Sequence, residues 1–253
     1  MGQLKELQSL RLNNTHITDT GLEALKGLKS LRSLDLRFTD VTGDGLKSLS
    51  GLKALQALDL SEVSVTDRDL GALVDLKSLT HLDLWGPGIT DSGLVHLHDM
   101  YGLRHLGLYW TGITDAGLKH LGSLKGLTSL HIYAERVTGA GLRELGVLRG
   151  LQSLSLHGTK VTGSGLGDLG RLPDLQHLDL SYTPVADADL KYLQNLRSLR
   201  SLDLGQTLIT DAGLDSLKGL AQLEDLDLHS TKITDAGLKD LEQALPTTDI
   251  SGP

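Results

Sequence analysis

The feature that most constrains this chain is a repeat of 24 residues that runs from Leu7 to Pro246 without an insertion. The shared pattern is LxxLxLxxTx(I/V)TDxGLxxLxxLxx, where x is any residue. A fixed period of this length indicates that each block is one structural unit, which stacks on the units before and after it. The ten blocks are 7–30, 31–54, 55–78, 79–102, 103–126, 127–150, 151–174, 175–198, 199–222 and 223–246.

Each block changes its hydrophobic period midway. The last two leucines of "LxxLxL" alternate, which predicts a strand with one buried face. The later "TDxGLxxLxxL" spaces leucines by three and predicts a short helix, with Thr or Asp as its N-cap. One such unit cannot bury its leucines alone, so we expect the strands to stack in parallel and bury a continuous ladder.

This pattern, over 240 of 253 residues, resembles the leucine-rich repeat family, and most of all its helix-bearing subclass in F-box-associated and bacterial repeat proteins. The resemblance implies an α/β solenoid, a horseshoe with parallel strands on the concave face and short helices on the convex face. It also implies a recognition scaffold, commonly for proteins. The family usually has Asn or Cys at position nine, whereas seven blocks here have Thr and the others have Val63, Pro87 and Glu135.

The repeats predict a single leucine-rich repeat domain over residues 1–253. Residues 1–6 fit the end of a further repeat, with Met1 and Leu4 at leucine positions, so we expect either a start inside a longer array or an engineered boundary. Residues 247–253 follow the last repeat, and "TTDI" predicts a final strand before the tail.

Composition and motifs exclude several functions. A formal net charge of −8 argues against a nucleic-acid partner. The chain has no cysteine, which excludes disulfides and zinc–thiolate sites. No signal peptide or membrane span is apparent, so we predict no membrane partner. The compartment stays open, with the cytoplasm favoured by the absence of a signal peptide and of cysteine, and we expect a monomer. No nucleophile elbow, phosphate-binding glycine loop or His-Glu-x-x-His motif is present, so we predict neither enzymatic activity nor a cofactor.

The outward positions of the strands carry the candidate site. Positions three, five, seven and eight are expected on the concave face, where equivalent residues of successive blocks lie side by side. Position five is acidic in the outer blocks but not in the central blocks, which include Gly107. Position seven is aromatic in the blocks near Gly107. The concave positions hold six of the eight aromatic residues and six of the ten histidines, which predicts a binding site there. The predicted ligand-binding residues are His81, Asp83, Trp85, His105, Tyr109, Trp110, His131, Tyr133, His157 and Tyr182.

Several hypotheses remain open for this face. The first is recognition of a protein or peptide with basic flanks around an apolar anchor, since Asp35, Asp59, Asp179, Asp203 and Asp227 lie at its ends. Alternatives are a glycan-binding solenoid, a scaffold without a native ligand, and aromatic residues that only stabilise the sheet. His81, Asp83, His105 and His131 also suggest zinc binding, but we predict no metal site. His81 and His105 beside Asp83 suggest acid–base chemistry, although we predict no enzyme.

Overall fold

The computed structural model describes residues 4–252 in two compact units, which divide between Leu127 and Thr128. Met1, at the first leucine position of the predicted partial repeat, lies outside the described residues. Within each unit, successive strands pair in parallel with an offset of 24 residues, as in the pairing of Leu34 with Leu58. The strand and short helix predicted for each repeat are confirmed, and equivalent positions do lie side by side.

The described residues of the first unit, 4–127, form five strands with a helical segment after each of them. The strands are β1 (Ser9–Arg11), β2 (Ser33–Asp35), β3 (Ala57–Asp59), β4 (His81–Trp85) and β5 (His105–Tyr109). The α-helices are α1 (Asp19–Glu23), α2 (Gly43–Leu46), α3 (Asp91–Leu94) and α4 (Asp115–Leu121). The 3-10 helices are Ala24–Gly27, Lys47–Leu49, Asp69–Leu73 and Val95–Leu97.

The second unit continues the same alternation. Its strands are β6 (Ser129–Tyr133), β7 (Ser153–Ser155), β8 (His177–Asp179), β9 (Ser201–Asp203), β10 (Asp225–Asp227) and β11 (Asp249–Ser251). Its α-helices are α5 (Asp187–Leu190) and α6 (Asp235–Ala244), and its 3-10 helices are Gly139–Val147, Gly163–Arg171 and Asp211–Ser216. The frequent 3-10 turns suit the leucine spacing of three, because that helix has three residues per turn.

The leucine ladder forms the core of each unit. In the second repeat, Leu31, Leu34 and Leu36 at positions one, four and six are at most 1% exposed, as the pattern predicts. Val41 and Leu46 extend the same core toward the helical side. Burial of each leucine side chain is worth about 2 kcal/mol, so the ladder dominates the stability of the fold.

A second ladder, made of Thr and Asp, joins the starts of successive helices. Asp67 of the third repeat accepts hydrogen bonds from the backbone N–H and the hydroxyl of Thr90 in the fourth, both at 2.6 Å. Asp91 and Thr114 repeat this arrangement at 2.8 and 2.7 Å. The "TD" dipeptide therefore does more than cap its own helix, since each Asp also satisfies backbone and side-chain donors of the next repeat.

Two of the three glycines at the Asp position of this ladder are compensated by an Asp in the following repeat, whereas the third, Gly139, is followed by Gly165. Gly43 stands where Asp is expected, and a Cβ there would lie 1.9 Å from Cγ of Asp69. Asp69 itself accepts from the N–H and hydroxyl of Thr66, at 2.9 and 2.6 Å. Gly163 and Asp189 form the equivalent pair, with Gly163 N–H donating to Asp189 at 2.8 Å. Asp at position 15, where Gly is usual, is thus explained by the missing carboxylate one repeat earlier.

Candidate functional site

We call the side of each sheet that lies opposite the leucine core the open sheet face. It carries positions three, five and seven of each repeat, and position eight follows directly after them. In the first unit, strand pairing places His81 beside His105, Asp83 beside Gly107 and Trp85 beside Tyr109. The strands β4 and β5 have five residues each, so the pairing extends to the aromatic side chains.

Asp83 lies at the centre of a hydrogen-bonded group in the first unit. Its Oδ1 atom is 3.0 Å from Nε2 of His105, and the His105 ring stacks on His81 with centroids 5.8 Å apart. The Tyr109 hydroxyl also hydrogen-bonds Asp83. Burial, followed by the charges of Asp83 and Asp59, raises the pKa of Tyr109 well above its usual range. Tyr109 therefore remains a neutral hydrogen-bond donor at physiological pH.

Gly107 makes the arrangement around Asp83 possible. A Cβ at this position would stand 2.2 Å from Oδ1 of Asp83 and 2.4 Å from Cε2 of Tyr109. Any other residue would force the carboxylate or the ring to move, so the missing side chain creates the space in which they meet. Beside them, the indole nitrogen of Trp85 is buried and has no hydrogen-bond partner among the described residues.

Carboxylates continue from Asp83 toward the start of the first unit. Arg37 bonds two of them, with Nη2 at 2.8 Å from Oδ2 of Asp35 and Nε at 3.1 Å from Oδ2 of Asp59. Burial raises the pKa of Asp59, and the charge of Asp83 adds to this effect. Acidic and aromatic groups meet in one open groove. The groove is lined by Arg37, Phe38, Asp59, Ser61, Glu62, Asp83, Trp85, Tyr109 and Trp110.

Position eight has a left-handed backbone in most repeats. Gly86 and Gly158 occupy it in two of them, but Phe38, Trp110 and Tyr182 adopt φ values of 53°, 55° and 57°. These three side chains are also 56%, 51% and 56% exposed. Bulky residues are rare in this conformation, which costs about 1–2 kcal/mol relative to ordinary backbone. The fold therefore bears both a backbone cost and exposed aromatic surface at the same three residues.

The second unit has its own aromatic cluster, centred on His157. The His157 ring lies edge-on to Tyr133 with centroids 4.8 Å apart, and 4.9 Å from Tyr182 on its other side. Its Nδ1 atom is 2.8 Å from the hydroxyl of Ser181, which donates to Asp179 at 2.5 Å. Gly158 provides the room, because a Cβ there would lie 2.2 Å from Cε2 of Tyr133.

Near the end of the second unit, Asp203, Asp227 and His229 bring three potential metal-ligand atoms within 4.8 Å of one another. Nδ1 of His229 is 2.7 Å from Oδ1 of Asp227, and this hydrogen bond, followed by the Asp227 charge, raises the pKa of His229. Burial and the neighbouring carboxylates Asp179 and Asp227 raise the pKa of Asp203. Two carboxylates and one imidazole are a donor set that divalent cations accept.

The structure gathers the predicted site residues into groups within each unit. His81, Asp83, Trp85, His105, Tyr109 and Trp110 lie together in the first unit. Tyr133, His157 and Tyr182 lie together in the second, where His131 has its Nε2 atom 3.1 Å from Ser129 Oγ. The sequence-based selection omitted Phe38, Glu62 and the His229 group. The sequence did carry a signal for them, because Phe38 shares position eight with Trp110, and Asp203 and Asp227 share position five in adjacent repeats.

A leucine-rich repeat family model matches residues 5–64, 30–89 and 173–233, which together make up more than half of the chain. The chain belongs to the leucine-rich repeat family. This confirms the resemblance seen in the repeat and the prediction of a leucine-rich repeat solenoid. Leucine-rich repeat proteins typically serve as protein-binding modules, which places this chain in the general class of recognition proteins.

Solved leucine-rich repeat structures show the same fold. A leucine-rich repeat protein of Leptospira interrogans is 25% identical with a TM-score of 0.73, over 98% of this chain and 61% of that one. The plant peptide hormone receptor RGFR1 in complex with RGF2 is 18% identical with a TM-score of 0.59, over 99% and 40% of the two chains. TLR13, in its ssRNA13 complex, is 20% identical with a TM-score of 0.66, over 92% and 37%.

No curated protein matches the chain. Among the described residues, no helix has the length and apolar character that crossing a membrane would require.

Proposed function

We propose that this chain is a non-catalytic recognition module that binds a protein or peptide segment on its open sheet face. The contact residues of the proposed site in the first unit are His81, Asp83, Trp85, His105, Tyr109 and Trp110. In the second unit they are His131, Tyr133, His157 and Tyr182. Acidic residues such as Asp59 and Asp203 beside these groups favour a partner that carries basic residues next to an apolar anchor.

The observation that carries this proposal is the conformation of Phe38, Trp110 and Tyr182. Each is more than half exposed and adopts a left-handed backbone, although glycine fills the same position in other repeats. The left-handed backbone recurs at position eight and belongs to the repeat, but a bulky aromatic residue there bears its steric cost and still exposes half of its ring. Exposed Trp and Tyr side chains are frequent binding hot spots. A ligand that covers these rings gives a physical reason for their presence.

A peptide partner is also consistent with the plant receptor, which is solved in complex with RGF2. TLR13 is solved in a complex with ssRNA, but this chain has a formal net charge of −8, which repels phosphate. Glycan binding is the second candidate, because sugars stack on aromatic rings and bond carboxylates. The pair of Tyr109 and Asp83 offers both groups within one groove.

A binding comparison would separate these candidates. We expect a random 12-residue peptide library to yield ligands with micromolar affinity by calorimetry, while an oligosaccharide array and a 13-nucleotide single-stranded RNA yield none. The variant Trp110→Gly should weaken the selected peptides by at least about tenfold, because a stacked indole ring is a typical hot spot. Tyr101→Ala is the matched control, since Tyr101 is a similarly exposed aromatic residue outside the strands.

Each other outcome would count against this proposal. Saturable binding of one oligosaccharide class, lost in Trp110→Gly, would replace the peptide by a glycan. Peptides that bind the wild type and both variants equally would show that the aromatic groups are not the site. No binding to any of the three libraries would favour a scaffold without a native ligand.

A further inference from the structure

The first unit has an empty position between a carboxylate and an exposed indole ring. At position eight, three successive repeats carry Glu62, Gly86 and Trp110. Backbone hydrogen bonds join the three repeats at or just before this position, from Gly86 N–H to the carbonyl of Tyr109 and from Leu60 N–H to the carbonyl of Asp83, both at 3.0 Å. Adjacent residues therefore keep approximately the spacing of paired strands. Glu62 and Trp110 are therefore about 10 Å apart along the sheet, with Gly86 between them.

Gly86 leaves this interval open. Its φ of +102° suits glycine, and a Cβ placed on it would meet nothing within 4 Å. A planar group above Gly86 would lie about 5 Å from both neighbouring positions. That distance allows contact with the face of an indole ring on one side and with a carboxylate on the other.

The charges of the groove that contains Glu62 and Trp110 favour a cation. Asp59, Glu62 and Asp83 line this groove together with a single basic residue, Arg37. Arg37 is directed toward Asp35 and Asp59. Glu62, by contrast, is exposed and makes no hydrogen bond or ion pair with any residue that the structure describes. Among the carboxylates of this groove, Glu62 is thus available to another partner.

We propose that the slot formed by Glu62, Gly86 and Trp110 binds an arginine side chain of the partner. This proposal rests on the proposed function and specifies its ligand. The guanidinium stacks on the Trp110 ring and donates to the Glu62 carboxylate. Arginine fits better than lysine because its planar group stacks on an aromatic face and can bond a carboxylate through two N–H groups.

The test uses N-acetyl-arginine amide with the 15N-labelled chain, so it does not depend on finding the partner. The two indole N–H signals come from Trp85 and Trp110, the only tryptophans in the sequence, and Trp110→Gly assigns them. We expect the Trp110 signal to shift saturably in the millimolar range. N-acetyl-citrulline amide, which has the same shape without the charge, should bind about fivefold more weakly or not at all.

Two variants then test whether the Glu62 carboxylate binds the guanidinium group. Glu62→Gln should weaken arginine amide by about fivefold and leave citrulline amide unchanged. Asp225→Asn removes an equally exposed carboxylate in the second unit and should have no effect, which controls for net charge. Equal shifts with both amides, or an unchanged affinity in Glu62→Gln, would overturn the arginine slot. The peptide library result stands apart, because peptides without arginine that bind at Trp110 would support the proposed function and reject only this slot.

Discussion

The backbone at Trp110 predicts that this residue limits stability. Its φ of 55° is left-handed, and more than half of its side chain is exposed. Replacement by glycine removes the steric cost of that conformation, so Trp110→Gly should raise the free energy of unfolding by about 1 kcal/mol. In a chain of this size, the melting temperature should rise by about 2–4 °C.

A matched substitution tests the cause of that gain. Gln206 has a φ of 59° at the same position of the repeat in the second unit, so Gln206→Gly should stabilise by a similar amount. Only Trp110→Gly should also reduce ligand binding. A loss of stability in Trp110→Gly, with a gain in Gln206→Gly, would show that packing of the indole ring stabilises the fold by more than the left-handed backbone destabilises it.

Asp203 should make stability depend on pH. Burial, with the charges of Asp179 and Asp227, raises its pKa in the folded protein above its value in the unfolded chain. The folded state then binds protons more readily, so this group's penalty is fully present above the raised pKa. The penalty shrinks as the pH falls through that pKa toward the unfolded value of about 3.9. Asp203→Asn should remove the penalty.

Denaturant unfolding of wild type and Asp203→Asn measures this effect. At pH 7 the variant should be more stable, by less than about 1 kcal/mol because Asp203 is only half-buried and solvent screens its charge. An Asn oxygen can still accept the 2.8 Å hydrogen bond from Gly205 N–H. The difference between the proteins should disappear as the pH approaches 4. A variant less stable than wild type at pH 7 would contradict the assignment.

At the scale of the elements, most helix starts use one carboxylate, from position 13 of the preceding repeat or from position 15 of their own, and this predicts coupling between Gly43 and Asp69. Asp69→Gly should lower the free energy of unfolding by about 1–2 kcal/mol, because the N–H and hydroxyl of Thr66 lose their acceptor. Gly43→Asp should also destabilise, because its side chain would collide with Asp69. The double variant restores the arrangement of the other repeats, in which Asp precedes and Gly follows.

Chemical unfolding of the four proteins gives the coupling energy directly. The free energy of unfolding of the double variant should be within about 0.5 kcal/mol of the wild-type value, although each single variant is destabilised. Gly27→Asp with Asp215→Gly, at positions that make no contact of this kind, is a control pair whose effects should add. Additive losses in the Gly43 and Asp69 pair would mean that the two positions do not share a carboxylate.

For the whole molecule, the repeat made the fold predictable because each position recurs in the same environment. The pattern predicts that the leucines at positions one, four and six lie in the core, and the structure buries Leu103, Leu106 and Leu108 completely. The site was predictable only in outline, because equivalent positions of successive repeats show which residues are neighbours but not which conformations they adopt. The left-handed backbone recurs at position eight, but residues such as Phe38 and Trp110 there give no sequence signal for it, and the space above Gly107 depends on side-chain geometry within one repeat.

The same periodicity predicts that the chain accepts an additional complete repeat. Duplication of residues 199–222 places a second Asp211 before Thr234 and a second Thr210 after Asp211, so the leucine and Thr–Asp ladders both continue. Stability in such arrays is approximately a sum over repeats and their interfaces. The duplicated protein should be at least as stable as wild type, with a denaturant m-value larger by about a tenth if unfolding remains two-state.

Duplication of residues 31–54 is the matched comparison of equal length. It keeps every leucine in place but puts Gly43 before a second copy of Thr42, whose donors then lack the carboxylate that Asp19 gives the first copy. The second Gly45 cannot compensate as Asp69 does, so this protein should be less stable than the 199–222 duplication by about 1–2 kcal/mol. Equal stabilities would show that the leucine ladder alone determines how well a repeat is accepted, and that the Thr–Asp ladder contributes little.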